Sequence, residues 1–386
     1  MIRSTLAIFW KFLLLGLIGF GGPVAHIGYF QKTFVEDLKW LSLDAFSKLV
    51  AFSHILPGPG SSQVGFAIGY HKAGLLGGFS AFVGFTLPSF ILMYLIALIG
   101  FNESNGTLIG MIQGLKLFAV VVVADAIFSM SKKFSNQAIT IVITLSSAVL
   151  FYVSNGLIMQ IVILIFFALL GVVLIKKEPS VISQPKSSIA FFYLTLFLLL
   201  FLFLPLLAHY SEIAKFINAF YSSGSLVFGG GHVVLPLLQE TLDGYIHTDT
   251  FLTGYSAVQA MPGPMFSFAS FLGADIHNET PFLGALLATL AIFAPGILLV
   301  LAFYKSWEYY SSKTKIFGAI TAINASVVGL LISAFISPVF SSAVHSIWHF
   351  AFALTGFLLL RYLKVKTVFL LVLFALTGMA DNKFFI

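Results

Sequence analysis

Phe20-Gly21-Gly22-Pro23 is followed, one hydrophobic stretch later, by Pro57-Gly58-Pro59, and the pair returns as Phe228-Gly229-Gly230-Gly231 and Pro262-Gly263-Pro264. Glycine and proline inside apolar helices leave backbone N–H and C=O groups without helical partners. In a bilayer such backbone is tolerated only where it is buried in protein or lines a watery cavity. A duplicated pair of breaks therefore predicts internal repeats whose discontinuous helices surround a central site, the pattern of a transporter.

Composition agrees with a membrane chain. Hydrophobic residues make up 59% and charged residues 9%, which excludes an ordinary soluble domain. Stretches 74–100, 108–130, 157–175, 189–207, 282–304 and 316–339 are long and apolar enough to cross about 30 Å of hydrocarbon. No polar stretch is long enough to form a separate domain. The N-terminal apolar run carries Lys11 and lacks a small-residue cleavage site, so it reads as the first membrane element. Cysteine is absent, which removes disulfides and thiolate metal sites. The net charge of +6 reads as lysine-bearing cytoplasmic loops rather than a nucleic-acid surface. No phosphate-binding Gly-x-x-x-x-Gly-Lys-Ser/Thr loop, His-Glu-x-x-His or Gly-x-Ser-x-Gly motif occurs, and no cofactor or metal is expected.

The repeat can be traced residue by residue. Gly16, Phe20, Gly21 and Gly22 match Gly224, Phe228, Gly229 and Gly230 at an offset of 208. Asp44, Phe46, Pro57, Gly58, Pro59 and Ser62 match Asp249, Phe251, Pro262, Gly263, Pro264 and Ser267 at 205, and Leu76, Gly77, Ala81 and Pro88 match Leu283, Gly284, Ala288 and Pro295 at 207. Between Lys215 and Lys305 there is no Lys or Arg, whereas the equivalent loops of the first half carry Lys32, Lys39, Lys48 and Lys72. Positive loops stay cytoplasmic, so equivalent loops are expected on opposite sides of the membrane. The expected fold is an all-α polytopic membrane protein of two inverted-topology repeats with broken or re-entrant helices. Residues 1–175 form the N-terminal repeat, 176–210 a cytoplasmic loop and an inverting helix, and 211–386 the C-terminal repeat. Segments near 5–31, 48–70, 213–239 and 250–274 either enter and leave on one side or span as broken helices.

After each break a half-helix should begin. Its free N–H groups and positive dipole end form a site for an anion. The candidate substrate-binding set is Gly21, Gly22, Pro23 and His26; Pro57, Gly58, Pro59, Ser61, Ser62 and Gln63; Gly229, Gly230, Gly231 and His232; and Gln259, Pro262, Gly263, Pro264 and Ser267. Their hydroxyl, amide and imidazole donors suit oxyanion oxygens. The histidines have a second reading, as partners for the exposed carbonyls of the broken helices.

Phe20-Gly21-Gly22-Pro23-Val24-Ala25-His26, Leu56-Pro57-Gly58-Pro59-Gly60-Ser61-Ser62-Gln63, Phe228-Gly229-Gly230-Gly231-His232 and Gly114-Leu115-Lys116 resemble the motifs of the chromate ion transporter superfamily in its long two-domain form. The resemblance implies export of chromate across the cell membrane, driven by the membrane potential or a proton gradient. Sulfate or another tetrahedral oxyanion is the alternative substrate. The expected partners are that oxyanion and the bilayer, with a homodimer left open. An intramembrane enzyme is disfavoured because the breaks contain no acid–base pair.

Lys116 lies eight residues into the stretch 108–130, where a lysine costs roughly 2.5–3.5 kcal/mol without a polar partner or cavity. It reads either as a cation facing the anion or as a snorkelling side chain. Asp125, nine residues on, falls on the opposite helix face and reads as a proton carrier or as an end cap near Lys132.

Overall fold

The computed structural model describes residues 2–99, 106–154, 156–175, 189–306 and 314–380. Lys176, Lys177 and Lys313 lie outside the described residues, as does most of the loop expected at the start of 176–210. Every regular element described is helical. The first half comprises α1 (Ile2–Ile18), α2 (Gly22–Phe30), α3 (Leu43–Ser53), α4 (Gly60–Ile99), α5 (Gly106–Phe134), α6 (Ala138–Val153) and α7 (Leu157–Leu174). After α8 (Phe191–Leu207) the second half follows as α9 (Glu212–Leu226), α10 (Val234–Thr241), α11 (Thr248–Gln259), α12 (Phe268–Ile276), α13 (Pro281–Phe303), α14 (Thr314–Ala334), α15 (Ile347–Arg361) and α16 (Thr367–Ala380).

All four predicted breaks interrupt helices. Gly21 and Gly22 separate α1 from α2, and Pro57-Gly58-Pro59 separates α3 from α4. Gly229–Gly231 separates α9 from α10, and Pro262-Gly263-Pro264 separates α11 from α12. At each break the chain turns back on itself. Phe12 of α1 stacks on Phe34, beyond α2, at 4.7 Å, and Ser223 of α9 bonds Thr241 of α10 at 2.9 Å. Lys72, at the far end of the first leg of α4, sits 5.3 Å over Trp40, just ahead of α3. α4 bends sharply at Ala73-Gly74, so its second leg runs back alongside the first. Gly69 and Gly77 let the two legs touch, and Gly273 and Gly284 do the same for α12 and α13. Small residues at such contacts are how membrane helices approach without a hydrophobic driving force.

The two halves exchange equivalent contacts. Gly58 N–H donates to Val227 C=O at 2.7 Å, and Gly263 N–H donates to Gly19 C=O at 2.9 Å. Gly58 and Gly263 occupy matching positions, as do Val227 and Gly19. Each Pro-Gly-Pro turn thus satisfies a carbonyl freed by the Gly-rich break of the other half. Both glycines need a positive φ and have no room for a side chain. A Cβ on Gly58 would lie 2.9 Å from Gly296 Cα, and one on Gly263 would lie 2.7 Å from Ser89 Oγ. The later helices are interleaved as well. α14 packs chiefly on α6 and α7, and α5 packs on α15 and α16.

The bundle has a basic and an acidic end. His71 Nδ1 meets Tyr304 OH at 3.1 Å, and Ala190 N–H bonds Ala302 C=O at 2.9 Å, at the end that also carries Lys72, Lys133 and Arg361. At the other end Glu240 accepts a 2.6 Å bond from Gly156 N–H, and Asp249 pairs with Lys116. The loops at 70–74 and 275–281 lie at opposite ends.

Among the described residues, five helices are long and apolar enough to cross a membrane: Gly60–Ile99, Ile109–Phe134, Leu157–Leu174, Pro281–Phe303 and Ile316–Phe340. The stretch 189–207, expected among the long spans, forms a helix of 17 residues, about 26 Å in length. The protein is an all-α polytopic membrane protein.

Candidate functional site

A cavity of about 520 Å³ lies where the breaks meet. The opening residues of all four half-helices line it: Gly22-Pro23 of α2, Gly60-Ser61 of α4, Gly231-His232 ahead of α10, and Met265 ahead of α12. The folding reason is local. Proline at the first helical turn and glycine before it start a helix abruptly, with Gly21 left-handed at φ 98° as the N-cap of α2. The first N–H groups of each half-helix have no helical acceptor, and the dipole places partial positive charge there. A cavity of this size falls within the ordinary range for small-ligand sites and admits a tetrahedral oxyanion with water.

Of the residues expected at the site, Gly21, Gly22, Pro23, Gly58, Ser61, Gly229, Gly230, Gly231, His232 and Gln259 line the cavity, together with Asp125. His26, Pro57, Pro59, Ser62, Gln63, Lys116, Pro262, Gly263, Pro264 and Ser267 are not among the lining residues. Several of these hold the breaks in shape. Gln63 Nε2 donates to Pro57 C=O at 2.8 Å, and Ser267 Oγ meets Ser89 Oγ at 2.6 Å. His26 is buried, its Nε2 is 2.8 Å from Gly19 C=O, and its Nδ1 is 3.2 Å from Ser61 Oγ. A carbonyl can only accept, so Nε2 carries the proton and Nδ1 accepts from the Ser61 hydroxyl. With that hydroxyl hydrogen committed, Ser61 has its backbone N–H to offer an anion.

His232 is arranged differently. Its Nδ1 lies 3.2 Å from Tyr255 OH and 3.4 Å from Gln259 Nε2. The amide can only donate, so Nδ1 accepts and Nε2–H is the donor of this cavity-lining ring.

Lys116 Nζ sits 2.8 Å from Asp249 Oδ1 and is nearly buried, at 5% side-chain exposure. The ion pair supplies the polar partner that its depth demands. Asp125 Oδ1 faces Arg361 Nη1 at 3.3 Å, and the same nitrogen donates to Ser129 Oγ at 3.1 Å. The two α5 residues thus face different helices, α11 and α15, as their spacing implies.

The cation at the cavity is one that sequence reading passed over. Lys133 lines the cavity near its exposed rim, 3.4 Å from His54 Nε2, and has no carboxylate partner among the described residues. In the sequence it is half of a Lys132-Lys133 pair at a helix end, which reads as a loop charge. Arg361 was missed for a different reason. It meets Asp125 across 236 residues, and no local pattern announces such a contact. Asn324 was missed too, although its buried Oδ1 lacks a partner and would lie 3.2 Å from a Cβ on Gly229. Among the described residues no cluster of His, Asp and Glu could hold a metal ion.

Comparison with known proteins gives an independent view. The family model described as chromate transporter matches residues 6–173 and 214–379, one match in each half. An uncharacterized transporter of Methanocaldococcus jannaschii is 28% identical over 86% of this chain and 83% of its own length. Chromate transport proteins of Pseudomonas aeruginosa and Cupriavidus metallidurans are each 25% identical, over 84% and 95% of this chain and 78% and 91% of theirs. No solved structure matches the chain.

Proposed function

Because this chain belongs to the chromate transporter family and is a multi-pass protein of the cell membrane, we propose that it exports chromate from the cytoplasm as a secondary active transporter. The observation that carries the proposal is the cavity lined by the openings of four half-helices, with Lys133 at its rim. A divalent oxyanion placed there meets partial positive charge from several dipoles and the Lys133 ammonium at the rim. It does so without the desolvation cost of several buried lysines.

Charge supports the proposed direction and driving force. The rim lies at the basic end of the bundle, and basic ends stay cytoplasmic, so the cavity is loaded from inside. A membrane potential negative inside favours outward movement of a dianion. Two charges crossing 100 mV are worth about 4.6 kcal/mol. The Asp125–Arg361 pair beside the cavity is the element through which a proton could couple, since protonation of Asp125 would free Arg361. The halves 1–175 and 211–386 act as the two inverted repeats, and the paired legs of α1/α2, α3/α4, α9/α10 and α11/α12 enter and leave on one side.

Efflux of radiolabelled chromate from oriented vesicles tests the reading. Lys133→Gln should weaken chromate affinity about fivefold, the worth of a half-exposed charge, about 1 kcal/mol. Gly22→Leu should stop transport, because Gly22 faces open space at φ 73° and the new side chain would strain the break and fill the cavity. Normal chromate efflux in both variants would place the substrate elsewhere. Sulfate efflux with no chromate efflux would keep the site and change its substrate.

A further inference from the structure

A second cavity, of about 440 Å³, lies on the opposite side of α5 from the transport cavity. The substrate side of α5 presents Val122, Asp125, Ala126 and Ser129, whereas this crevice takes Val120, Ala124, Ile127 and Phe128. α14, the π-helical turn Phe335–Phe340 that follows it, and α15 complete it with apolar side chains such as Ile332, Phe335, Ala353 and Phe357, and Ser131 is its one polar lining residue. Phe350 and Leu354 on its wall are 44% and 45% exposed, so the crevice faces outward, where a membrane chain meets lipid.

Two cations close one end. Lys132 Nζ lies 4.7 Å from the centroid of the Phe128 ring, and Arg361 Cζ lies 4.3 Å from it. Lys132 has no carboxylate partner among the described residues, and both cations lie at the basic end of the bundle. An apolar slot within the hydrocarbon depth, headed by two cations at the cytoplasmic boundary, complements one molecule: a lipid with an acyl chain and a phosphate. We propose that this crevice binds an anionic phospholipid, with one chain along Ala124, Phe335 and Phe357 and the headgroup phosphate on Lys132 and Arg361. Basic pockets between membrane helices at the cytoplasmic face take anionic headgroups on the same physical grounds. The proposal is independent of the transported substrate. It has one consequence for transport: Arg361 also holds Asp125 and Ser129 of the transport cavity, so a bound phosphate shares that guanidinium with the cavity.

The test uses the full chain in neutral detergent, titrated with phosphatidylglycerol or phosphatidylcholine of matched chains, with bound lipid read by native mass spectrometry. Wild type should bind phosphatidylglycerol more than about fivefold tighter than phosphatidylcholine. Lys132→Gln should lose about fivefold for phosphatidylglycerol and leave phosphatidylcholine unchanged, as expected for one basic residue near an anionic surface. Ala124→Phe, which fills the crevice from a half-buried position, should weaken both lipids. Soluble glycerol phosphate should not compete. Equal binding of the two lipids to wild type would overturn the proposal. So would an unchanged preference in Lys132→Gln, undiminished binding to Ala124→Phe, or displacement by glycerol phosphate. If Ala124→Phe does not fold, the Lys132→Gln comparison decides alone.

Discussion

The ion pair between Lys116 and Asp249 allows a sharp separation of stability from substrate binding. Lys116 lies inside the span Ile109–Phe134 with its side chain 5% exposed, and Asp249 in the first turn of α11 is 41% exposed. Breaking a fully buried pair by removing one partner costs about 3–5 kcal/mol. Asp249 is open enough for water to screen it, so the cost here falls to about 1–2 kcal/mol. The two single variants should also differ. Asp249→Asn leaves an unpaired ammonium at depth, whereas Lys116→Gln leaves a carboxylate that water can reach. Asp249→Asn should therefore lower the thermal midpoint in detergent more than Lys116→Gln, and the double variant should recover part of the loss. Chromate affinity, measured on the same samples by calorimetry, should change less than twofold in Lys116→Gln, because Lys116 is not a lining residue of the cavity. A loss of tenfold or more with an unchanged midpoint would refute this reasoning. It would mean that Lys116 leaves Asp249 and reaches the anion during transport.

Two further outcomes follow from the break geometry and the two-ended bundle. Gly58→Ala and Gly263→Ala should each destabilise the protein by about 1–3 kcal/mol and impair transport, since each Cβ would press within 3 Å of the other half at a φ of 119° or 98°. Gly230→Ala, with nothing within 4 Å of its Cβ, should fold better than either, and equal melting of all three would remove the close approach as the reason for glycine. In the cysteine-free chain, His71→Cys and Asn278→Cys should react with an impermeant thiol reagent from opposite sides of the membrane. Labelling of both from one side would contradict the inverted repeat.

The breaks were the legible part of this sequence, because glycine and proline act on the backbone locally and their effect does not wait for tertiary structure. Their duplicated order also foreshadowed the paired contacts of Gly58 with Val227 and Gly263 with Gly19, although no spacing rule says which half supplies which carbonyl. The site was legible in its backbone and obscure in its charges. Gly21, Gly22, Gly58 and Gly229–Gly231 line the cavity, whereas in the sequence Lys133 reads as one more loop lysine and Lys116 as either a cation facing the anion or a snorkelling side chain. The reason is geometric. A lysine's depth along its own helix can be counted from the sequence, but the element that faces it cannot. Lys116 faces α11, where Asp249 meets it, and Lys133 faces the tip of α3, where the partner is His54. A neutral or weakly basic partner leaves an ammonium's charge available, whereas a carboxylate cancels most of it. By that argument the free charge at the site belongs to the lysine nearer the surface. In the proposed export of a dianion this placement is an advantage, because a cation at a wet rim can draw in an anion and release it again, whereas a deeply buried unpaired cation would hold it.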